Sequence, residues 1–444
     1  MIDTLTIAGV IEDTIDKKEY IKLVHADKKI HYYKWIGGNT TIIQVGDQID
    51  RCRSLNGNSC ITKETTYQDE NSDYKIIYFM TGLHYLAIKH GGAVYSLLGN
   101  HELMNVYGNL DYVSYLGLKP ETELESNTEL ESETELEPET ELESKKVKIT
   151  IDLNYRTDKF KRGKTISKFL ACSRLSVMII NNVLYAHAGF VNTIIDNIKQ
   201  YYKIKHIKDD KEVDKIDMTY VLSTFNNIIK LWLLDSDLPI SDLSKSDNKY
   251  ILDPEYTFKL ISNTGDLYSS PPPSPFWYRD LGYLRQNIDI NSKIISPDIY
   301  DLQDCSLLKE ALKMLNIQGM VIGHTPQYND KRGINSTCSN SLFRIDVGAS
   351  KAFRPSMDEF VNKNSDKNNV MSYEIVRKAQ VLEIDKGNVT IIKYKYKHEN
   401  KTDINGNIIY TDSNGYPVTK IDNLVNTREI LREPMNPLNS LIQD

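Results

Sequence analysis

Nothing in this chain approaches the run of about eighteen apolar residues that a membrane-spanning helix needs, so no span is expected. The opening residues are acidic and contain no apolar core run, which argues against a signal peptide. Cysteine is scarce, with five in 444 residues. Cys52, Cys60, Cys172, Cys305 and Cys338 form an odd set without a Cys-x-x-C pair, a pattern that argues against a disulfide framework and against structural zinc. A soluble, cytoplasmic protein is the resulting expectation. An excess of basic charge is also missing, since the formal net charge is −7. The acidity is local, however. Residues 121–144 read ETELES, NTELES, ETELEP and ETELES, hold 11 Glu and no Lys or Arg, and discounting those charges turns −7 into +4. A surplus this small gives no electrostatic case for nucleic-acid binding, although it suits a phosphorylated substrate. The repeat has no wide apolar face and reads as a solvated insert in a surface loop.

What is present is a series of apolar runs, each ending in a polar string. Thr40 to Val45 reads as a buried strand leading into Gly46-Asp47-Gln48-Ile49-Asp50-Arg51. Ala93 to Leu98 is a second, ending at Gly99-Asn100-His101-Glu102. Val177 to Ile180 and Val183 to Ala186 read as a hairpin across Asn181-Asn182, with the second strand ending at His187-Ala188-Gly189. Gly319 to Ile322 is a short strand ending at Gly323-His324-Thr325-Pro326. Leu342 to Val347 and Ala379 to Ile384 are further strands, and Asn388 to Tyr396 pairs with the latter through Lys386-Gly387. Helices are expected over 1–13 (its C-terminal end), 74–90 and 220–234. Two Asn-Gly pairs after Lys397 signal hairpin turns, and the closing segment with Pro434 and Pro437 reads as unstructured. Strands alternating with helices early and hairpins later predict an α/β fold, a mixed sheet sandwich flanked by helices. One such domain would span 1–396, interrupted by the 121–144 repeat and a partly helical insert at 192–272. Residues 397–444 would form a C-terminal hairpin and tail.

Polar strings at strand ends are where open α/β sheets gather ligands. Asp, Asn and His are also the ligand types that place divalent metals beside a phosphate. Asp47, at the end of a buried strand and followed by a turn, is a rigid carboxylate. Asn100 offers a neutral oxygen, and His187 and His324 offer imidazoles, so these four could complete one metal site. Two metals about 3.5–4 Å apart can activate a bridging water and clamp a phosphate. Arg51 and Arg279, the latter in Pro275-Phe276-Trp277-Tyr278-Arg279-Asp280, are candidates for binding the phosphate, because a guanidinium matches its oxygens bidentately. His101 is a candidate general acid to the leaving alkoxide, with Asp50 positioning it. Each string alone also fits an ordinary turn, ion pair or core histidine; their order and strand context favour one site.

These strings resemble those of the calcineurin-like metallophosphoesterases, within them the phosphoprotein phosphatase branch, and most of all the Shewanella-like phosphatases. Trp35-Ile36-Gly37-Gly38-Asn39-Thr40, Gly333-Ile334-Asn335-Ser336 and Arg344-Ile345-Asp346-Val347-Gly348 are similar to that subgroup as well. The likeness covers most of 1–120 and 150–396. It implies a calcineurin-like β-sandwich, two divalent metals (manganese, iron or zinc) and hydrolysis of phosphomonoesters. The substrate would be a phosphorylated protein, on Ser/Thr or Tyr, or a small phosphoester, with no nucleic acid or membrane involved. Asp47 would bridge the metals, Asn100, His187 and His324 would hold the second, His101 with Asp50 would protonate the leaving group, and Arg51 and Arg279 would bind phosphate. The resemblance also calls for an Asp-x-His-Gly string holding the first metal, which these residues lack. Ile7 to Ile11 looks like the end of the helix that follows that string, which would place it roughly ten residues before Met1. A binding protein without turnover and a dinucleoside-polyphosphate hydrolase are the competing expectations.

Overall fold

The computed structural model describes residues 1–15, 19–25, 29–53, 59–62, 65–66, 69–119, 153–206, 217–237, 274–284, 305–327, 333–353, 378–396, 401–402, 408–409 and 426–435. The acidic repeat, the polar 354–372 stretch and most of 234–272 lie outside them. The fold is mixed α/β. Helix α1 (Ile2–Ile7) is followed by strands β1 (Ile11–Asp13), β2 (Ile21–Val24), β3 (Ile30–Trp35) and β4 (Thr41–Gln44). Helix α2 (Asp73–Lys89) leads to β5 (Ala93–Ser96), which runs into helix α3 (Asn100–Tyr107). Strands β6 (Val177–Ile180), β7 (Val183–Ala186), β8 (Gly319–Ile322), β9 (Asn335–Thr337) and β10 (Leu342–Arg344) follow. The last are β11 (Gln380–Asp385), β12 (Asn388–Tyr396), β13 (Lys401–Thr402), β14 (Ile408–Ile409) and β15 (Asn426–Met435).

Two sheets carry the polar strings. β4 and β5 pair in parallel, and β6, β7, β8, β10 and β9 form a sheet in that order. β8 is parallel to β7 on one side and to β10 on the other. All its residues are buried, which explains why Gly-Met-Val-Ile carries no polar alternation. A parallel bridge from Leu97 to Leu175 extends the line of β5 toward the start of β6. The β6–β7 hairpin turns on Asn181 and Asn182, both at positive φ (50° and 60°), the conformation of a two-residue primed turn. Lys386 and Gly387 do the same between β11 and β12, at φ 50° and 85°.

The core explains the helices. Val221, Phe225, Ile228, Ile229 and Trp232 line one face of the helix Met218–Leu233, and all are buried with Phe190, Ile194, Ile195, Ile198, Phe276 and Leu281. That spacing is the apolar stripe of an amphipathic helix facing a core. The described part of the 192–272 segment therefore packs into the main core. α2 places Phe79, Met80 and Leu83 against Tyr33, Trp35 and Val94 in a second cluster.

Several expectations need correction. Helix α1 stops at Ile7 because Gly9, at φ 70°, turns the chain, and Ile11–Asp13 pairs with β3 instead of continuing the helix. The segment carrying Pro434 is not unstructured. It lies in β15, at the edge of the β11–β12–β15 sheet, where a proline without an N–H is tolerated. β13 and β14 bracket Asn405-Gly406 as that pair predicts. The expectation against disulfides fails: Cys52 pairs with Cys60 and Cys305 with Cys338, at Cα separations of 6.0 and 5.8 Å. An odd count excludes nothing, since Cys172 is the exposed residue left over. Cys305 sits at the N-cap of the helix Ser306–Leu315, and Cys338 lies in the turn after β9, so only the tertiary fold brings them together. No helix among the described residues is long and apolar enough to cross a membrane.

The pairing makes a simple expectation. Denatured, unreduced protein titrated with a thiol reagent should show one free thiol, Cys172, and five after reduction. Five thiols before reduction would contradict it.

Candidate metal centre

Two turns meet at the ends of β4 and β5. After β4 the Gln44 side chain folds back, its amide bonding to Gly46 O and its oxygen accepting Gly46 N–H. Gly46 has φ 99°, and a Cβ there would lie 2.7 Å from both Gly99 Cα and His187 Nδ1. A Cβ on Gly99 would lie 2.2 Å from Asp47 Oδ1. The two backbones touch, so both positions require glycine. The Glu102 carboxylate, fully buried, closes this junction by accepting N–H bonds from Gly99 (2.7 Å), Asp47 (3.0 Å) and Gln48 (2.7 Å). Burial, the largest influence, and the neighbouring Asp47 push the Glu102 pKa up, while the N–H groups of Gly99 and Gln48 oppose them. Arg174 ties the same turn to α2, donating to Gln48 Oε1 and to Ile77 O, both at 2.9 Å.

Four donor atoms converge in front of this junction. His187 Nε2 lies 3.2 Å from Asp47 Oδ2, 2.9 Å from Asn100 Oδ1 and 3.1 Å from His324 Nδ1. His187 Nδ1 lies 2.7 Å from the Val45 carbonyl, which can only accept. Nδ1 therefore carries a hydrogen, and Nε2 of the neutral ring presents its lone pair to the other three. Lone pairs packed this closely repel unless a proton or a cation sits among them. Ligand atoms of Asp47, His187 and His324 all lie within 4.8 Å of one another, as a metal site requires. Burial works against the charged form of Asp47, but His187, His101 and His324 outweigh it and hold its pKa far below the carboxylate range. Burial also disfavours a charged His187, yet Asp47 reverses the balance and raises its pKa. His324 goes the other way, driven down by burial, then by Arg279 and His187. The two imidazoles are thus pushed in opposite directions. His324 Nε2 is buried with no hydrogen-bond partner among the described residues.

His101 and Asp50 form the second unit. His101 Nδ1 is 2.8 Å from Asp50 Oδ2, and the His101 N–H donates to Asp47 Oδ1 at 3.1 Å, linking the unit to the donor cluster. Asn105 Nδ2 reaches both Asp50 oxygens at 2.9 and 3.0 Å. Behind it lies Arg156, wholly buried in the helix Leu153–Phe160. Arg156 donates to Asn105 Oδ1 at 2.7 Å, to Asp73 Oδ2 at 2.8 Å and to Asp50 Oδ1 at 3.4 Å. Burial opposes its charge, but Asp73 and Asp50 more than compensate and its pKa is raised.

The arginines divide. Arg279 donates to the His324 carbonyl at 3.2 Å, which holds it beside the donor cluster. Its segment is tied to β9 and β10 by buried Arg344, which donates to Gly282 O at 3.0 Å, to Leu284 O, and to Asn335 Oδ1 at 2.8 Å. Arg51 pairs with Glu70 at 3.4 Å. Arg53, which the motif reading passed over, lies at His101, its Nη2 3.2 Å from His101 Nε2. Glu102 was visible as the fourth residue of Gly-Asn-His-Glu. Arg53, Asn105 and Arg156 carry no local signal beyond being charged or polar residues near the strings.

No protein-family model matches the chain. It is 35% identical over 283 residues to an uncharacterized protein of Acanthamoeba polyphaga mimivirus, an overlap of 62% of this chain and 88% of that protein. It is 22% identical over 349 residues to Shewanella-like protein phosphatase 2 of Arabidopsis thaliana, covering 75% of this chain and 68% of the relative. An uncharacterized protein of Schizosaccharomyces pombe is 24% identical over 325 residues, 72% of this chain and 65% of that protein. Among solved structures, a cold-active protein-tyrosine phosphatase of a psychrophilic Shewanella species aligns at 16% identity with a TM-score of 0.41, over 81% of this chain and 68% of that one.

The buried charge behind His101 is open to a stability test. Arg156→Met leaves Asp73 and Asp50 buried without their cation and should cost about 3–5 kcal/mol in urea unfolding. Adding Asp73→Asn should recover part of that loss. An unchanged midpoint in Arg156→Met would show that the triad carries no stability.

Proposed function

The chain belongs to the same family as the mimiviral protein and is a distant relative of the Shewanella-like protein phosphatases, and we propose that it is a metal-dependent hydrolase of phosphomonoesters on protein side chains. One observation carries this reading: Asp47 Oδ2, Asn100 Oδ1 and His324 Nδ1 all meet at His187 Nε2, beside the His101–Asp50 pair. Two imidazoles, a carboxylate and an amide oxygen suit manganese, iron or zinc. Held by these donors, a divalent cation supplies Lewis-acid charge next to a phosphoryl group.

The remaining chemistry belongs to the chain's own groups. Asp50 accepts from His101 Nδ1, which orients the ring. A hydrogen carried at His101 Nε2 would pass to the leaving alkoxide as a water oxygen bonds to phosphorus and the ester bond breaks. Arg279, fixed through the His324 carbonyl, donates to phosphoryl oxygens. Asn105 and Arg156 hold the Asp50 side chain in place. Phospho-Ser/Thr and phospho-Tyr are the side chains proposed, and the Arabidopsis relative's name supports protein substrates.

The test is Mn²⁺-dependent turnover of p-nitrophenyl phosphate, then of phosphoserine, phosphothreonine and phosphotyrosine peptides, with bound metal counted in parallel. His324→Ala should lose both metal and turnover. His101→Asn should keep the metal and lose about 10²–10⁴ in rate. Metal binding without turnover on any ester would reject the hydrolase and leave a binding protein. Absence of metal binding would reject the site itself.

Proton competition adds a pH dependence. The His187 pKa is raised, so its proton stabilises the metal-free site at low pH and is lost as pH rises through that raised value. Mn²⁺ affinity should therefore fall on acidification through the His187 pKa, as measured by calorimetry across a pH series. An affinity independent of pH would contradict the assignment of the proton.

A further inference from the structure

We propose that Arg53 is a substrate-binding residue, which gives up its bond to His101 Nε2 to take the phosphoryl group of the ester. The inference rests on the hydrolase reading for its substrate class and on the geometry around Arg53 for its residue. Asp50 accepts from His101 Nδ1 at 2.8 Å, which leaves Nε2 as the ring nitrogen that faces the site. Arg53 Nη2 lies 3.2 Å from that nitrogen. A leaving oxygen that takes a proton from Nε2 must occupy the place where Arg53 now donates. The guanidinium thus stands at the position of the scissile ester, and it must shift from nitrogen to oxygen when the ester arrives.

Arg53 is held for such a role. Its Nη1 donates to the Asp50 and Cys52 carbonyls at 2.9 and 2.8 Å, so one edge of the fork is tied to the turn. The guanidinium lies 5.2 Å from the Tyr112 ring centre and 4.7 Å from that of Phe353. Tyr112 also meets the His101 ring edge-on, with centroids 5.0 Å apart. The turn is anchored on the far side as well, where Cys52 N–H donates to Tyr112 O at 2.9 Å and the Cys52 side chain is bonded to Cys60. Among the described residues no carboxylate pairs with Arg53. Arg51 is paired with Glu70, and Arg156 with Asp73 and Asp50. A fixed guanidinium without a carboxylate partner, beside His101 Nε2, is a seat for a phosphate dianion.

The bland alternative is that Arg53 only braces the turn against two aromatic rings. Inorganic phosphate separates the two readings. It would be titrated calorimetrically into wild type, Arg53→Ala and Arg53→Lys, each with and without Mn²⁺, alongside steady-state kinetics on p-nitrophenyl phosphate and thermal melts. Loss of a charged hydrogen-bond donor to the anion should weaken phosphate binding and raise KM by about 10- to 100-fold in Arg53→Ala, with a smaller effect on kcat. Arg53→Lys keeps the charge and should restore part of the affinity while remaining folded. Equal phosphate affinity in all three proteins would overturn the proposal, as would a wild type that binds no phosphate. A wild type that binds phosphate through Arg53 but hydrolyses nothing would reject the hydrolase reading and leave Arg53 assigned.

Discussion

The Glu102 carboxylate is the constraint on which the rest of the site depends. It accepts main-chain N–H bonds from Gly99 within its own helix start and from Asp47 and Gln48 on a turn 55 and 54 residues away in sequence. Asp47 returns the bond through His101 N–H. The result is a closed loop of hydrogen bonds between the β4 and β5 ends, and it sets Asp47 against Asn100 and His101. The loop is possible only because Gly46 and Gly99 bring the backbones into contact. Burying a carboxylate is costly, and three N–H donors are what makes it tolerable here. Remove that anchor and the donor atoms lose their common origin, since His187 and His324 arrive from other strands.

Two kinds of buried charge sit side by side. Around Asp50 the account is settled within the protein, by Arg156 shared with Asp73 and by Asn105. Around Asp47 the neighbouring groups are histidines, His187 with its pKa raised by Asp47 and His324, pressed against it, driven down by burial. The first arrangement is rigid and self-sufficient. The second has no arginine at its centre and answers the carboxylate with imidazoles.

The sequence was legible where polar strings and backbone geometry coincide. Strand ends at Asp47, Asn100, His187 and His324 could be read because apolar runs stop there and glycines follow or precede. The Asn181-Asn182 and Lys386-Gly387 turns could be read because φ > 0 restricts the residues that fit. What escaped was long-range. The Cys305–Cys338 bond joins a helix start to a turn 33 residues on, and Arg156 reaches Asp50 across 106 residues. No local pattern encodes such meetings. Arg51 drew notice through its place in a familiar string, while Arg53, two residues later, lies at His101. Pro434 misled for the opposite reason: a strong local breaker is harmless on an edge strand.

Asp47, Asp50 and His324 share a conformation that L-residues avoid, at φ 57°, 71° and 63°. Left-handed backbone costs about 1–2 kcal/mol per residue when nothing compensates it. None of these turns is therefore favoured by its own segment, and each forms only when its distant partners have arrived. The Val45 carbonyl waits for His187 across 142 residues, and His187 waits for His324 across 137. During synthesis the β4 turn leaves the ribosome long before either histidine exists. The centre thus depends on long-range pairing: it closes only where segments 142 and 137 residues apart in sequence meet.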